Sequence, residues 1–273
     1  MFCSHPDRLL RDHVTDVANK ALAAFDQCSP LDRSLQVKKW LRLIVVCHDF
    51  GKYTTFFRRH LRGEKIGEER FHAELGAMLA SYIAERTIAF HASPQELDYY
   101  SSIIIYYVIH RHHGHLVNLE HVFQKSDLDW SQPRILFKET FRKQIADLKS
   151  QAAAIEAYFS LYSADLVSFV SSFFAEWELH AKALMRKRRL LRRRLEDRDS
   201  MPFADSVLRL GITIQHLFSL LIDSDKLSAG QLASIARKEL LPERIELYRR
   251  NFLLPSQTSS GANIAEKRNL IKK

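Results

Sequence analysis

The chain has 273 residues, of which 46% are hydrophobic and 27% are charged, and it contains only 8 Gly and 7 Pro. These values exclude collagen-like, coiled-coil-only and disordered chains, and the scarcity of turn residues disfavours an all-β fold. Since the 41 Lys and Arg exceed the 32 Asp and Glu, the net charge is +9, which favours an anionic partner such as nucleic acid.

The helical period dominates the apolar pattern along the chain, and no alternating strand pattern is convincing. On the first predicted helix, the residues that share one face are Leu9, Leu10, His13, Val14, Val17, Ala18 and Ala21. An irregular stretch is predicted over residues 115–133. Helices are predicted over residues 33–49, 71–90, 94–113, 134–160, 164–198 and 203–223, with short ones near 229–238 and 241–252. The sequence therefore predicts an all-α domain over residues 1–252, followed by a polar linker over 253–273.

The cysteines and the apolar runs bear on the cellular compartment. Cys3, Cys28 and Cys47 are odd in number and form no CxxC pair, which argues against a disulfide framework and indicates a reducing compartment. The first residues carry no signal-peptide pattern, and the longest clean apolar run, residues 103–109, is too short to span a bilayer. We therefore expect a soluble, cytoplasmic protein with no membrane partner.

A basic run over residues 186–194 holds seven Lys or Arg in nine positions. Arginine suits bidentate contact with phosphate, so the run is predicted to bind a nucleic-acid backbone without sequence specificity. The residues that we expect to make these contacts are Arg188, Arg189, Arg192 and Arg193. The alternative is that the run is only a solvated helix face.

Histidines and aspartates lie at the ends of the most apolar predicted helices. They are His13, His48, Asp49, His72, His110, His112, His113, His115 and Asp225. Because apolar helices pack together, the polar groups at their ends are expected to share a partly buried site, and a metal ion satisfies several such groups at once. For any one of these histidines, a satisfied core position or a surface position is the alternative.

The segment His48-Asp49-Phe50-Gly51-Lys52 resembles the signature of HD domains. The wider pattern resembles the CRISPR-associated HD nuclease of type I interference systems, and it spans residues 13 to 225, most of the chain. The residues that match in order are His13, the HDxGK motif with His48, Asp49 and Lys52, then His72, the HHG motif with His112 and His113, and Asp225. The resemblance implies an HD-domain helical bundle with a metal site at its centre.

The resemblance also implies how the ligands are shared between two ions. His13, His48, Asp49 and Asp225 would hold one ion. Asp49 would bridge to a second ion, held also by His72, His112 and His113. Asp223 competes with Asp225 as the last ligand, and we favour Asp225 because the family's aspartate precedes a basic or aromatic residue and a small apolar helix, as Asp225 precedes Lys226. His110 and His115 flank the HHG motif and are outside the pattern.

The ligand types indicate which metal binds. A site with five histidines favours Mn²⁺, Fe²⁺, Co²⁺ or Ni²⁺, whereas Mg²⁺ prefers an all-oxygen shell and remains an alternative. Lys52 is expected to place its ammonium on charge that develops in the transition state. Asp49 and Lys52 are therefore the predicted catalytic residues.

The resemblance implies a metal-dependent nuclease that cleaves single-stranded DNA in CRISPR-mediated antiviral defence. The partners that it implies are a helicase domain or subunit, to which residues 253–273 would lead in a longer protein, and the RNA-guided surveillance complex. One alternative is an HD-family nucleotide phosphohydrolase with a closed pocket. The other is a non-catalytic DNA-binding module, for which an incomplete ligand set would be expected.

Overall fold

The computed structural model describes residues 2–27, 35–92, 97–116, 139–196 and 202–231. They all belong to one compact unit that spans Met1–Ser234. The predicted linker over 253–273 lies outside the described residues. The predicted irregular stretch over 115–133 and the short helices near 229–238 and 241–252 lie almost entirely outside them.

The described chain is built from α-helices, apart from one small hairpin in which β1 (Cys3–His5) pairs antiparallel with β2 (Arg8–Leu9). The α-helices of the described residues are α1 (Leu10–Asp26), α2 (Leu35–Cys47), α3 (Thr55–Leu61), α4 (Ala73–Thr87), α5 (Ser101–His110), α6 (Glu139–Ser150), α7 (Ala152–Phe159), α8 (Ala164–Glu196) and α9 (Pro202–Ala229). Short 3-10 turns lie at Phe50–Tyr53, Glu68–Arg70, Ala89–His91 and Leu97–Tyr100. The predicted all-α class is confirmed, and the hairpin is the feature that the apolar pattern did not predict.

Several predicted helix boundaries differ from the observed ones. The helix predicted over 134–160 is broken at Gln151 into α6 and α7, and the helix predicted over 94–113 begins as a 3-10 turn. The last helix continues to Ala229 rather than ending at residue 223, so that Asp225 is helical. Helix α3 was not predicted, because its seven residues are too few to show a period.

Helices α2, α4 and α5 form the apolar interior against which the other elements pack. Every residue of α5 from Ser101 to Ile109 is buried, as expected of a helix without a polar face. Phe50 follows α2 and lies in the core beside Phe159 and Phe173, with ring centroids 5.9 and 6.5 Å apart. The packing of Phe50 therefore fixes the backbone at its neighbour Asp49. Among the described helices, none has the length and apolar composition needed to cross a membrane.

Arg8 ties the hairpin to both α1 and α9. Its guanidinium lies 2.9 Å from the Asp16 carboxylate on α1 and donates to the Ser228 carbonyl on α9. These contacts join residues that are 8 and 220 positions apart in the sequence. They fix the end of α9 beside the first turns of α1, where His13 is buried.

Two glycines allow backbones to approach where side chains would collide. A Cβ on Gly76 of α4 would lie 2.7 Å from the His48 carbonyl oxygen and closer still to that of Cys47. A Cβ on Gly51 would lie 2.7 Å from the backbone and Cβ of His72. The end of α2 and the start of α4 can therefore meet only because both positions lack a side chain.

We predict that Gly76→Ala destabilises the protein by about 1–3 kcal/mol, because the added methyl overpacks the contact between α4 and the end of α2. Chemical denaturation of the metal-free protein measures the change. Gly114→Ala is the control, since its Cβ would lie 3.6 Å from the Arg111 carbonyl oxygen, an ordinary contact. Equal stability of the two variants would contradict this packing argument.

Candidate metal centre

Two groups of side chains, all of them buried except that of His113, meet at Asp49. The first contains His13, His48 and Asp49, and the second contains Asp49, His72, His112 and His113. Within each group, one ligand atom from every residue lies within 4.8 Å of the others. The residues come from α1, from the ends of α2 and α5, and from the residue that precedes α4. A buried His/Asp cluster that can hold a metal ion is therefore present.

The two carboxylate oxygens of Asp49 face different groups. Oδ2 lies 3.3 Å from His13 Nε2 and 3.5 Å from His48 Nε2. Oδ1 lies 3.2 Å from His72 Nε2 and 4.0 Å from His112 Nε2. Because only 1% of the Asp49 side chain is exposed, this carboxylate has almost no contact with water. Its position is that of a bridge between two clusters of imidazoles.

Asp225 joins the first group from α9. Its Oδ1 lies 3.0 Å from His13 Nε2 and 3.8 Å from His48 Nε2, and 21% of its side chain is exposed. Asp223 is exposed on the same helix. The structure therefore brings Asp225, the residue that we favoured as the last ligand, to the cluster.

In three of the histidines, His13, His48 and His112, Nδ1 makes a hydrogen bond away from the cluster, which orients Nε2 toward it. His48 Nδ1 lies 2.8 Å from the Val45 carbonyl oxygen, and His112 Nδ1 lies 2.6 Å from that of Ile109. His13 Nδ1 lies 3.1 Å from the hydroxyl oxygen of Ser228. A carbonyl only accepts, so Nδ1 carries the proton in His48 and His112 and Nε2 keeps its lone pair, the arrangement typical of metal-binding histidines.

His72 and His113 complete the second group. Their Nε2 atoms lie 2.7 Å apart, so one ring donates to the other. The segment before His72 is held by Gln144 of α6, whose side-chain amide donates to the carbonyl oxygens of Glu69 and Phe71, both at 2.8 Å. Gln144 is buried, and these two bonds fix the backbone from which His72 enters the site.

The same helix α6 also holds α3. Both oxygens of Asp147 accept from Thr55, one from the backbone N–H at 2.5 Å and one from the hydroxyl at 2.7 Å. Since α3 follows directly on the turn that contains Lys52, Gln144 and Asp147 together hold the two segments that flank the second group.

Burial and charge set the protonation of the cluster. Burial lowers the pKa of His72 and takes that of His112 well below its usual range, and burial together with the neighbouring His72 lowers the pKa of His113 to about 4. These rings are therefore neutral at neutral pH, with lone pairs available to a cation. In His13 the carboxylates of Asp225 and Asp49 outweigh the effect of burial and raise the pKa.

The carboxylates show the complementary effect. Burial alone would raise the pKa of Asp49, but the neighbouring imidazoles of His48, His13 and His72 and the ammonium of Lys52 hold it well below its usual range. His13 and His48 likewise lower the pKa of Asp225 against the effect of burial. Lys52 Nζ lies 2.8 Å from Asp49 Oδ2, in a side chain that is only 7% exposed. The lysine therefore places a fixed cation directly against the carboxylate of Asp49.

The donors fit divalent transition ions. In the described part of the chain, four buried atoms of the cluster make no hydrogen bond of good geometry: the Nε2 atoms of His13, His48 and His112, and Oδ2 of Asp49. Ligands bound about 2.0–2.2 Å from one ion are about 3–3.6 Å apart in tetrahedral or octahedral geometry. Most of the separations from Asp49 and Asp225 to the imidazoles, 3.0 to 4.0 Å, lie within or near that range.

The basic run lies on α8, which contributes no residue to the two groups among the described residues. Lys187 within the run is buried and donates to both carboxylate oxygens of Glu85, at 2.6 and 2.7 Å. Of the predicted phosphate-binding residues, Arg189 and Arg193 are exposed and Arg188 and Arg192 are half-buried. Arg186, Arg189 and Arg193 therefore share one exposed face of α8, so phosphate binding and a solvated face both remain predictions for the run.

Two histidines near the HHG motif lie outside the two groups. His110 Nδ1 lies 2.8 Å from Glu74, and its ring stacks on Tyr106 with centroids 5.6 Å apart. His115 is exposed. A third histidine, His5 of β1, was not singled out from the sequence, yet its ring lies 5.3 Å from that of His13. Only the hairpin, which the apolar pattern did not predict, places it there.

We predict that Asp225→Ala lowers the amount of metal bound while Asp223→Ala leaves it unchanged, because only Asp225 faces His13 and His48. Titration calorimetry with Mn²⁺ measures both stoichiometry and affinity. The two variants remove the same charge from the same helix, so a general loss of negative charge would lower Mn²⁺ binding equally in both. Equal loss of Mn²⁺ in both would contradict the placement of Asp225.

We predict that Gln144→Met weakens Mn²⁺ binding by about 10- to 100-fold, the range measured for loss of partners that orient metal ligands. Methionine keeps the volume of the side chain but cannot donate to Glu69 and Phe71. Lys149→Met, at an exposed position of the same helix, is the control. Wild-type affinity in the folded Gln144 variant would show that His72 needs no support from α6.

Comparisons with protein-family models, with curated proteins and with solved structures found no match to the chain. The chemistry of the site follows from its own residues, namely a carboxylate between two groups of imidazoles and one buried lysine.

Proposed function

We propose that this protein is a metal-dependent phosphodiesterase of the HD type that cleaves single-stranded DNA. The observation that carries the proposal is the orientation of Asp49, whose two oxygens face separate groups of histidines. A bridging carboxylate is what a two-ion phosphodiesterase requires, because it lies between two cations that would otherwise repel each other at short distance. The proposed fold is an HD-domain bundle with this site at its centre.

The residues divide the work as follows. His13, His48, Asp225 and Asp49 would hold one ion, and His72, His112, His113 and Asp49 would hold the other. When bound, the ions supply an activated water and polarise the phosphoryl group. Lys52 keeps its ammonium beside the bridging carboxylate and offers it to the negative charge that develops on the phosphate.

The ligand set favours Mn²⁺, Fe²⁺, Co²⁺ or Ni²⁺. Five imidazoles are borderline ligands and two carboxylates are hard ones, a mixed set that suits these ions, whereas Mg²⁺ prefers oxygen atoms only. The neutral state of His72, His112 and His113 supports this choice, since neutral imidazole nitrogen is a good ligand for these ions.

A polymer substrate is favoured over a free nucleotide by charge. The net charge of +9 and the exposed Arg189 and Arg193 offer contacts to phosphates beyond the one that is cleaved. His113 is exposed, so the second group opens to solvent rather than to a closed pocket. A role in CRISPR-mediated antiviral defence, with a helicase domain or subunit and an RNA-guided surveillance complex as partners, rests on the resemblance of the motifs alone.

The first test is cleavage of circular single-stranded DNA. We predict activity with Mn²⁺, Co²⁺ or Ni²⁺ well above that with Mg²⁺, and none after EDTA. Asp49→Ala, which removes the bridge, should abolish cleavage and lower metal content, and Asp223→Ala should do neither. Activity of a folded Asp49→Ala protein close to that of the wild type would overturn the two-ion proposal. Turnover of a nucleotide panel with no cleavage of DNA would favour the phosphohydrolase instead.

The second test concerns the basic run. We predict that Arg189→Gln with Arg193→Gln weakens binding of single-stranded DNA and lowers the slope of log affinity against log salt by about 0.7 for each lost phosphate contact. Metal content should stay unchanged, since neither residue is near a ligand. An unaltered salt slope would show that the run does not bind DNA.

The third test concerns the cellular role. In a strain that carries a type I surveillance complex, replacing the gene by one that encodes Asp49→Ala should remove interference with a targeted plasmid. The Asp223→Ala gene should preserve it. Full interference in the strain that carries Asp49→Ala would show that this defence does not depend on the site.

A further inference from the structure

Phe71 lies at the edge of the candidate metal centre with its ring largely in water. It is 58% exposed and directly precedes His72, which is buried in the second group of ligands. Exposure of a large aromatic ring beside a functional site is a feature of binding surfaces, because such a ring gains free energy when a ligand covers it.

The ring is held in a fixed position. The amide of Gln144 donates to the carbonyl oxygens of both Glu69 and Phe71, so the backbone on either side of Arg70 is pinned. Arg70 Nη1 donates to the Ile66 carbonyl oxygen at 2.9 Å, and the Arg70 guanidinium carbon lies 4.6 Å from the centroid of the Phe71 ring. The platform is therefore ordered before a ligand arrives, which lowers the entropic cost of binding.

A groove of about 380 Å³ continues from the same arginine. It is lined by His60, Gly63, Glu64, Lys65, Ile66 and Arg70. The carboxylate of Glu64 is paired with Arg59 at 2.6 Å, so the groove presents Lys65 and Arg70 with its negative charge already compensated. An aromatic ring followed by a cationic groove is the combination that binds single-stranded nucleic acid, in which bases stack and phosphates meet positive charge.

We propose that Phe71 is a base-stacking platform for single-stranded DNA. A strand whose phosphate lies at the metal centre places a neighbouring base on the ring of Phe71, and its next phosphates follow Arg70 and Lys65 into the groove. The proposal deepens the proposed nuclease function and rests on it. The groove would then bind the backbone of the strand. Other aromatic residues near the site cannot stack on a base, because they are buried: Tyr53, Phe57, Tyr106 and Tyr107.

The test measures binding rather than cleavage, in EDTA so that the strand stays intact. Phe71→Trp introduces a fluorophore at the platform, and its emission, taken as the difference from wild type, should be quenched by oligothymidylate. Phe71→Ala should weaken oligothymidylate binding by about 5- to 150-fold, the range of one stacked base. Phe90→Ala, which removes a ring that is 73% exposed on another turn, should leave binding unchanged.

A strand of abasic sites identifies the source of the effect. Wild type and Phe71→Ala should bind it equally, because it has phosphates and no bases. Equal affinity of the two proteins for oligothymidylate, or an equal loss on both strands, would overturn the stacking proposal. The outcome is independent of the nuclease assay: a wild type that stacks bases on residue 71 and fails to cleave any strand with any metal would overturn the proposed function instead.

Discussion

Taking a carboxylate out of water costs several kcal/mol unless positive charge and hydrogen bonds compensate for it. Asp49 is the most demanding such group in the described chain, with a side chain only 1% exposed and both oxygens directed at imidazoles. Lys52 supplies one fixed cation at 2.8 Å, and His13, whose pKa the neighbouring carboxylates raise, supplies partial compensation. Four cluster atoms still lack a well-formed hydrogen bond, and divalent ions are the partners that would satisfy them together.

The fold provides this arrangement by bringing helix ends together. Phe50 anchors the backbone after Asp49 in the aromatic core, and Gly76 lets α4 approach the end of α2. Arg8 secures α9 against α1, which carries Asp225 to His13. The helices are thus held together by residues next to the ligands rather than by the ligands themselves. The ligand side chains therefore remain available to bind metal.

The sequence predicted the long helices because α2, α4 and α5 carry apolar residues over several turns, and it located the histidines at their ends. It could not predict α3 or the hairpin, which are too short to show a period. It also left Asp223 and Asp225 as alternatives, since the choice depends on which face of α9 meets α1. Gln144 gave no signal at all: a lone glutamine on an amphipathic helix looks like a surface residue, and its partners lie 73 and 75 positions away.

Anomalous X-ray diffraction from crystals soaked in Mn²⁺ tests most directly whether the Asp49 carboxylate joins two ion sites. The account predicts two anomalous peaks on either side of Asp49. One should lie among His13, His48 and Asp225, and the other among the residues of the second group, His72, His112 and His113. A single peak that Asp49 does not contact, or no peak at a Mn²⁺ concentration that saturates binding in solution, would contradict it.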